Sequence, residues 1–415
     1  MPSAVAWLHC AVMSESLVDD PAARPRVKLL AGRHKRVKAG HPWAYSNEIV
    51  MDRAAKALAP GRTVELVSDA GEVLGVGFFN PHTLVALRLV ARDPKTVIDQ
   101  GFLAARLRQA LGLRQRLFEA PYYRLVHAEG DRLPGLVIDR YGEVLVCQLN
   151  AAGIDRLRAP LLAAVDEVLK PATVVLRNDG ALRALEGLET GVEVLGAPPD
   201  GPVPLVENGV RFEADVAGGQ KTGWFFDQRA NRAFVAALAK DARVLDLYCF
   251  GGGFGIQAAV AGAGAVTLVD RSAAALASCR RSAAANRVAE VCQFVKAEAF
   301  AEMARRADRG DRFDIVVADP PAFVRSRKDL QPGLKGYRKL TRLAARLVAP
   351  GGFLFVASCS HNVDAEAFGR QVSRGLADAG RHGSILRATG AGPDHPVHPD
   401  LPESAYLNTL TLRLE

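Results

Sequence analysis

Val244-Leu245-Asp246-Leu247-Tyr248-Cys249-Phe250-Gly251-Gly252-Gly253-Phe254-Gly255 reads as a short apolar strand running into a glycine-rich turn and then a helix. Glycines let a backbone bend tightly and approach a ligand closely. The next apolar run, AVTLVD, ends at Asp270, 24 residues after Asp246. A carboxylate there can accept both hydroxyls of a ribose. The third run leads into KAEAF, where Glu298 can accept from an adenine amino group and Phe300 can form an apolar wall.

Two cofactor classes fit this layout. A dinucleotide would want G-x-G-x-x-G around its pyrophosphate, whereas this turn reads GGGFG and follows the acid Asp246. An acid disfavours phosphate and suits the ammonium of S-adenosylmethionine. Tyr248, Gly251 and Arg271, beside the two acids, join the cofactor set. Just upstream, GQKTGWFFDQR packs polar and aromatic residues ahead of a helix start. It reads either as a cover over the methionine end of the cofactor, which puts Phe225, Gln228 and Arg229 in the cofactor set, or as an ordinary loop leading into a capped helix.

Around this motif, strands and helices alternate from about residue 205: RVLDLYC, AVTLVD, CQFVKAE, FDIVVAD, GFLFVAS, SILRATG and LNTLTLRL. Alternation predicts an α/β fold, a doubly wound and mostly parallel Rossmann-like sheet, with an antiparallel last strand. Two strand ends then carry chemistry. FDIVVA runs into Asp319-Pro320-Pro321, with Phe323 close behind, and GGFLFVA runs into Ser358-Cys359-Ser360. Prolines stiffen the backbone and remove amide donors, so Asp319 and its neighbours can grip a planar base. That grip suits methylation of an exocyclic amine as well as of a ring carbon. Cys359 favours carbon: a thiolate adding to carbon 6 of a pyrimidine makes carbon 5 nucleophilic. The plainer reading of Cys359 is a small buried residue at a strand end. His361 reads as a loop residue rather than a thiol activator, and Cys249 as part of the cofactor wall.

The amino-terminal half is organised differently. Residues 1–25 read as a loose extension with no convincing signal peptide, and Met13 is an alternative start. Residues 26–95 read as a small β-rich module, in which RTVELVSDAGEVLGVGFFN is strand, turn, strand. Residues 96–195 read as an α+β unit, and GAPPDGPVP (196–204) as the linker to a domain spanning 196–415.

The chain is mildly basic, with 53 Lys+Arg against 45 Asp+Glu, and 49% hydrophobic residues suffice for real cores. The surplus is clustered. Arg24 to Arg62 holds ten Lys/Arg and two acids, and Ala322 to Pro350 holds eight Lys/Arg and one acid. Two such clusters suggest an extended polyanion, with Arg33, Lys35 and Arg36 in the first, and Arg325 and Lys335 in the second. The six cysteines include no C-x-x-C pair, which disfavours a zinc or dithiol site and fits a reducing cytoplasm. No apolar run reaches membrane-spanning length.

With these strings in hand, the chain resembles the large-subunit ribosomal RNA cytosine-5 methyltransferases of the RlmI type, from about residue 26 to 415. The basic opening with HPWAYS is similar to that family's RNA-binding PUA domain, a β-barrel, and RLVHAEGDRLPGLVIDRYG to its middle domain. GQKTGWFFDQR, DPPAFV, the Lys335-Gly336-Tyr337 stretch, SCS and DHPVHPDLPESAYL follow in family order. The resemblance implies a class I methyltransferase domain, S-adenosylmethionine as cofactor with S-adenosylhomocysteine as product, no metal, and ribosomal RNA or an assembly precursor as partner. It implies a cofactor site at Asp246, Gly251, Asp270, Glu298 and Asp319. It implies Cys359 as nucleophile, and Pro320, Pro321, Phe323 and Tyr337 on the RNA side. A homodimer is compatible with it. The chain departs from the pattern at its richer glycine turn and at Ala322, where the family often has Lys. The rival readings are a guanine N-methyltransferase, a dinucleotide-dependent oxidoreductase and a non-catalytic RNA-binding assembly factor.

Overall fold

A computed structural model describes residues 19–219 and 222–415. Residues 1–18, with Met13 and Cys10, and Gln220 and Lys221 lie outside the described residues. The chain forms two compact units. The first runs to Val203 and takes in Asp215–Gly223 and Pro393–Ser404; the second holds Pro204–Ala214, Trp224–Gly392 and Ala405–Glu415.

Two sheets build the first unit. Strands β1 (Arg26–Lys28), β2 (Trp43–Tyr45), β3 (Arg62–Val67), β4 (Val73–Phe79) and β5 (Val85–Ala91) pair in the order β1-β3-β4-β5-β2. The β3–β4 hairpin closes through Gly71 at φ 87°, a left-handed turn that favours glycine. Strands β6 (Tyr122–His127), β7 (Leu136–Tyr141), β8 (Val144–Leu149), β9 (Thr173–Asn178) and β10 (Gly191–Gly196) form the second sheet in the order β10-β9-β8-β7-β6. The helix Gln100–Leu117 starts where the Asp99 carboxylate accepts from the Phe102 amide, and it buries Leu103 and Leu107. Val76, Phe78 and Val90 of the first sheet lie in one apolar cluster with Leu107, Ile138 and Leu161. That shared core explains why the two amino-terminal modules cluster as one body. Residues 19–25 are not loose, contrary to expectation. The Arg24 guanidinium donates to Asp19 at 2.9 Å and to the Pro94 carbonyl at 2.7 Å, and Asp19 accepts from the Ile98 amide at 2.8 Å.

The second unit opens with the hairpin β11 (Val203–Glu207) and β12 (Val210–Ala214). Its sheet holds β13 (Arg243–Leu247), β14 (Ala265–Asp270), β15 (Cys292–Lys296), β16 (Phe313–Ala318), β17 (Val348–Ser358), β18 (Gly383–Thr389) and β19 (Asn408–Leu414). Their order is β15-β14-β13-β16-β17-β19-β18, with β13 to β17 parallel and β19 antiparallel to both neighbours. The α/β reading holds, including the antiparallel final strand. The order reverses at β13, so the crevice at the carboxyl ends of β13 and β16 is where such sheets bind ligands. Among the described residues no helix is long and apolar enough to cross a membrane, and no group of His, Cys, Asp and Glu could hold a metal ion.

In the first unit, Arg114 is fully buried, bonded to both Asp131 oxygens at 2.5 and 2.8 Å and to the Arg124 and Asp394 carbonyls. Arg114→Ala leaves a buried carboxylate unpaired. It is expected to cost roughly 3–5 kcal/mol in urea unfolding followed by tryptophan fluorescence and circular dichroism.

Candidate active site

The turn after β13 is strained where no glycine stands. Tyr248 (φ 60°) and Phe250 (φ 48°) take left-handed backbones, and Gly252 (φ 81°) is the one turn glycine that does so. Non-glycine residues in this region cost on the order of 1–3 kcal/mol and cluster at functional sites. The other glycines serve close packing. A Cβ on Gly251 would meet the Trp224 ring at 2.8 Å, and one on Gly253 would meet Arg232 Nε at 2.4 Å. Both neighbours are fixed by Glu207, whose buried carboxylate accepts from Trp224 Nε1 at 3.0 Å, Arg232 Nη1 at 2.8 Å and Gln257 Nε2 at 2.9 Å. Sequence reading missed Glu207, because no motif surrounds it. Arg229, expected at the cofactor, has its Nε 3.7 Å from Glu207 and its guanidinium 5.5 Å from the centre of the Phe226 ring.

The acids expected for the cofactor stand at successive strand ends. Asp246 is 1% exposed and accepts from the Gly255 amide at 2.8 Å. Burial pushes its carboxyl up to about 7, opposed by the Gly255 bond and reinforced by Asp319. Asp270 accepts from the Phe250 and Ser272 amides at 3.1 and 2.8 Å, so it holds the turn as well as facing the crevice end of β14. Glu298 caps the helix Ala299–Asp308 by accepting from the Ala301 amide at 2.9 Å. Asp319 accepts from Gln228 Nε2 at 3.0 Å, and Gln228 in turn accepts from Asn231. Asn231 and Thr389, which sequence reading passed over, complete that chain at 2.8 Å. Phe225 meets Phe250 edge-on at 5.2 Å, and Arg271 is exposed. Of the loop read as a cofactor cover, Gly219 and Thr222 belong to the first unit, where the Thr222 hydroxyl donates to Asp139.

These residues fit S-adenosylmethionine. The set joins carboxylates (Asp246, Asp270, Glu298 and Asp319) with the neutral Tyr248 and Gln228, which suits an ammonium and hydroxyls rather than a phosphate. The Tyr248 hydroxyl is buried with no hydrogen-bond partner among the described residues, which leaves a polar atom at the turn for a ligand. Burial, with Glu298 nearby, raises that phenol above its ordinary range.

On the chemical side, β16 and β17 are parallel neighbours, with Ala318 opposite Val356. Their ends therefore run out side by side. Ser358 and Ser360 are buried, while Cys359 between them is half-buried, with its Sγ 3.8 Å from the Pro320 carbonyl oxygen. Pro320 is buried and Pro321 exposed. Phe323 lies 6.1 Å from Phe300 and 4.7 Å from Tyr337, ring to ring, so Phe300 packs toward the Asp-Pro-Pro loop. His361 packs its ring 5.2 Å from Tyr406. Cys249 is buried, and its hydrogen bond with Cys279, then burial, raise its thiol well above the ordinary range.

The expected RNA contacts divide. Arg325 and Lys335 are exposed in the second unit, as are Arg33 and Lys35 in the first. Arg36 is engaged internally, bonded to Glu48 at 2.6 Å and lying over the Tyr45 ring at 4.6 Å. Tyr337, expected on the RNA side, does not reach the surface. It is 0% exposed, within the apolar cluster of the second unit, because its ring fills the space between Phe323 and Phe368.

Comparison with known proteins agrees with this geometry. Residues 182–413 match the model of an S-adenosylmethionine-dependent methyltransferase family, and residues 27–92 match a PUA-like domain. The chain is 36% identical over 393 residues to ribosomal RNA large subunit methyltransferase I of Tolumonas auensis, covering 93% of this chain and 98% of that one. It is likewise 36% identical over 386 residues to the protein of that name from Photobacterium profundum, covering 92% and 97%. Among solved structures, a SAM-dependent methyltransferase from Streptococcus mutans superposes with TM-score 0.80 at 22% identity, over 94% of this chain and all 100% of that one. A methyltransferase complexed with SAH gives TM-score 0.81 at 21% identity, over 94% and 99%. These two likenesses concern the fold.

The raised Asp246 carboxyl gives a signed pH dependence. A cationic ammonium favours its ionised form, so binding of S-adenosylhomocysteine should release a proton and tighten as pH rises through about 7. Calorimetry in buffers of different ionisation enthalpy reads that proton, and Asp246→Asn should abolish the release.

Proposed function

Because the chain belongs to the ribosomal RNA large subunit methyltransferase I family of S-adenosylmethionine-dependent methyltransferases, we propose that it forms 5-methylcytosine in large-subunit ribosomal RNA through a covalent adduct between Cys359 and carbon 6 of the base. The observation that carries this reading is the half-buried Cys359 thiol 3.8 Å from the Pro320 carbonyl, at the end of the strand beside Asp319. A guanine N-methyltransferase has no need of a thiol there.

Asp246, Tyr248, Asp270, Glu298 and Asp319 are the residues that would hold the cofactor. S-adenosylmethionine supplies an electrophilic methyl group when bound. The chain's own residues must make carbon 5 nucleophilic, since an aromatic cytosine resists attack there. The Cys359 thiolate adds to carbon 6, which breaks the 5,6 double bond and places electron density on carbon 5. A protonated ring nitrogen eases that addition, and Asp319, whose carboxylate accepts from Gln228 Nε2, would hold that proton. After carbon 5 has gained its methyl group, loss of the carbon-5 proton restores the double bond and expels the thiolate. The target base must be flipped out or unpaired to reach the crevice.

The exposed cations Arg33, Lys35, Arg325 and Lys335 are the phosphate contacts. Arg325→Ala should weaken binding about equally across RNA sequences and reduce the salt slope by about one, in filter-binding titrations at several salt concentrations. Cys359→Ala should retain S-adenosylhomocysteine affinity while losing turnover, by about a factor of 1,000 or more (about 4 kcal/mol). Radiolabelled methyl transfer to ribosomal RNA from a strain lacking the gene reads both the rate and the nucleotide modified. Full turnover by the variant, or label on guanine, contradicts the proposal.

A further inference from the structure

The buried Tyr337 has a hydroxyl that its apolar surroundings do not explain. It lies 2.8 Å from Ser360 Oγ. Ser360 Oγ also accepts from the Val324 amide at 3.2 Å, and the Phe323 amide points at the Tyr337 hydroxyl at 3.5 Å. One pair of hydroxyls thus bonds two loops, the one after β16 that carries Asp319-Pro320-Pro321 and the one after β17 that carries Cys359. Both hydroxyl-bearing residues are closed to solvent, at 0% and 1% exposure, so neither contacts RNA directly.

The helix Leu330–Ala345 that carries Tyr337 is docked on the same loop. A Cβ at Gly333 would come within 2.3 Å of Val324 Cγ2, and one at Gly336 within 3.0 Å of Phe323 Cδ2. Two glycines a helical turn apart bring this helix against Phe323 and Val324, at the distance the Tyr337 hydroxyl needs to span the two loops. Thr341 Oγ1 donates to the Tyr337 carbonyl at 3.0 Å and fixes the next turn. An unbonded phenol at this depth would cost about 1–3 kcal/mol, so the bond to Ser360, with the Ser358 hydroxyl also in reach, satisfies a group that a phenylalanine would not bring.

We propose that the Tyr337–Ser360 hydroxyl pair is a positioning device that sets the Cys359 thiol against the base-holding loop. Tyr337 is a positioning residue, acting through Ser360 and the backbone of Val324. The proposal rests on the reading of Cys359 as nucleophile. Attack on a ring carbon requires the sulfur at a near-attack distance, and a displacement of about 1 Å can lower the rate on the order of 100-fold. The bond lies one residue from Cys359, so its loss acts on that distance before it acts on cofactor or RNA binding.

The test is Tyr337→Phe, which keeps the ring in the core and removes the hydroxyl alone. Single-turnover methylation is measured per active site, with sites counted by titration of S-adenosylhomocysteine so that misfolded protein does not enter the rate. The expected result is a fall of roughly ten- to 100-fold in the rate per site, with KM for RNA and cofactor unchanged. Ser360→Ala should give the same loss, the double variant no further loss, and Ser360→Thr, which restores a hydroxyl, a partial recovery. A wild-type rate per site for Tyr337→Phe overturns the proposal, as do losses that multiply in the double variant. A fall in countable sites with an unchanged rate per site also overturns it, because that is the signature of a stability role. The two readings fail separately. An inactive Cys359→Ala with a fully active Tyr337→Phe removes the brace and keeps the nucleophile, whereas a fully active Cys359→Ala removes both.

Discussion

The proposed chemistry depends on the parallel pairing of β16 with β17. Their register, from Ile315 opposite Phe353 to Ala318 opposite Val356, makes two loops distant in sequence start side by side. One strand delivers Asp319-Pro320-Pro321 and the other Ser358-Cys359-Ser360. A one-residue slip would move every side chain to the opposite face and turn Cys359 inward in place of Ser358 or Ser360. Ser358 and Ser360 are buried and Cys359 is half-buried, so the register leaves the cysteine the most exposed of the three.

The cofactor side depends on the same sheet by different means. Asp246, Asp270 and Glu298 stand at or just beyond the ends of three adjacent strands. Each already accepts a backbone amide: Gly255 for Asp246, Phe250 and Ser272 for Asp270, and Ala301 for Glu298. The acids proposed to hold the cofactor therefore build the turn as well. Glu207 supports the same turn, since it holds the tryptophan and arginine against which Gly251 and Gly253 pack. A mutation far from any ligand can weaken cofactor binding through this support.

Much of this was legible in the sequence. Alternating apolar runs give the sheet, and the strings GGGFG, DPP and SCS stand where runs end, so period and punctuation locate the crevice. What could not be read has physical causes. Tyr337 sits in a basic stretch that drew it into the RNA set, although its spacing with Leu334, Leu340 and Ala344 puts it on the apolar face of the helix, which turns inward. Glu207 accepts from Trp224, 17 residues away, and Asn231 accepts from Thr389, 158 residues away, separations that local pattern cannot see. The return of Pro393–Ser404 to the first unit is equally non-local, as Asp394 accepts from the Arg124 amide 270 residues earlier. Residues 19–25 looked like loose chain because an isolated Arg and Asp carry no periodicity, yet their pairing ties them to residues 94–98.

In the proposed reaction the Cys359 sulfur becomes covalently bonded to the target base. RNA substrate in which the target cytosines carry fluorine at carbon 5 holds the reaction at that stage, because fluorine cannot leave as the proton does. Mass spectrometry of the digested complex, after incubation with S-adenosylmethionine, should find the methylated fluorinated nucleotide on the peptide containing Cys359. Methyl transfer to unmodified RNA by the same preparation, with no adduct on the fluorinated RNA or with an adduct on another cysteine, would contradict the account.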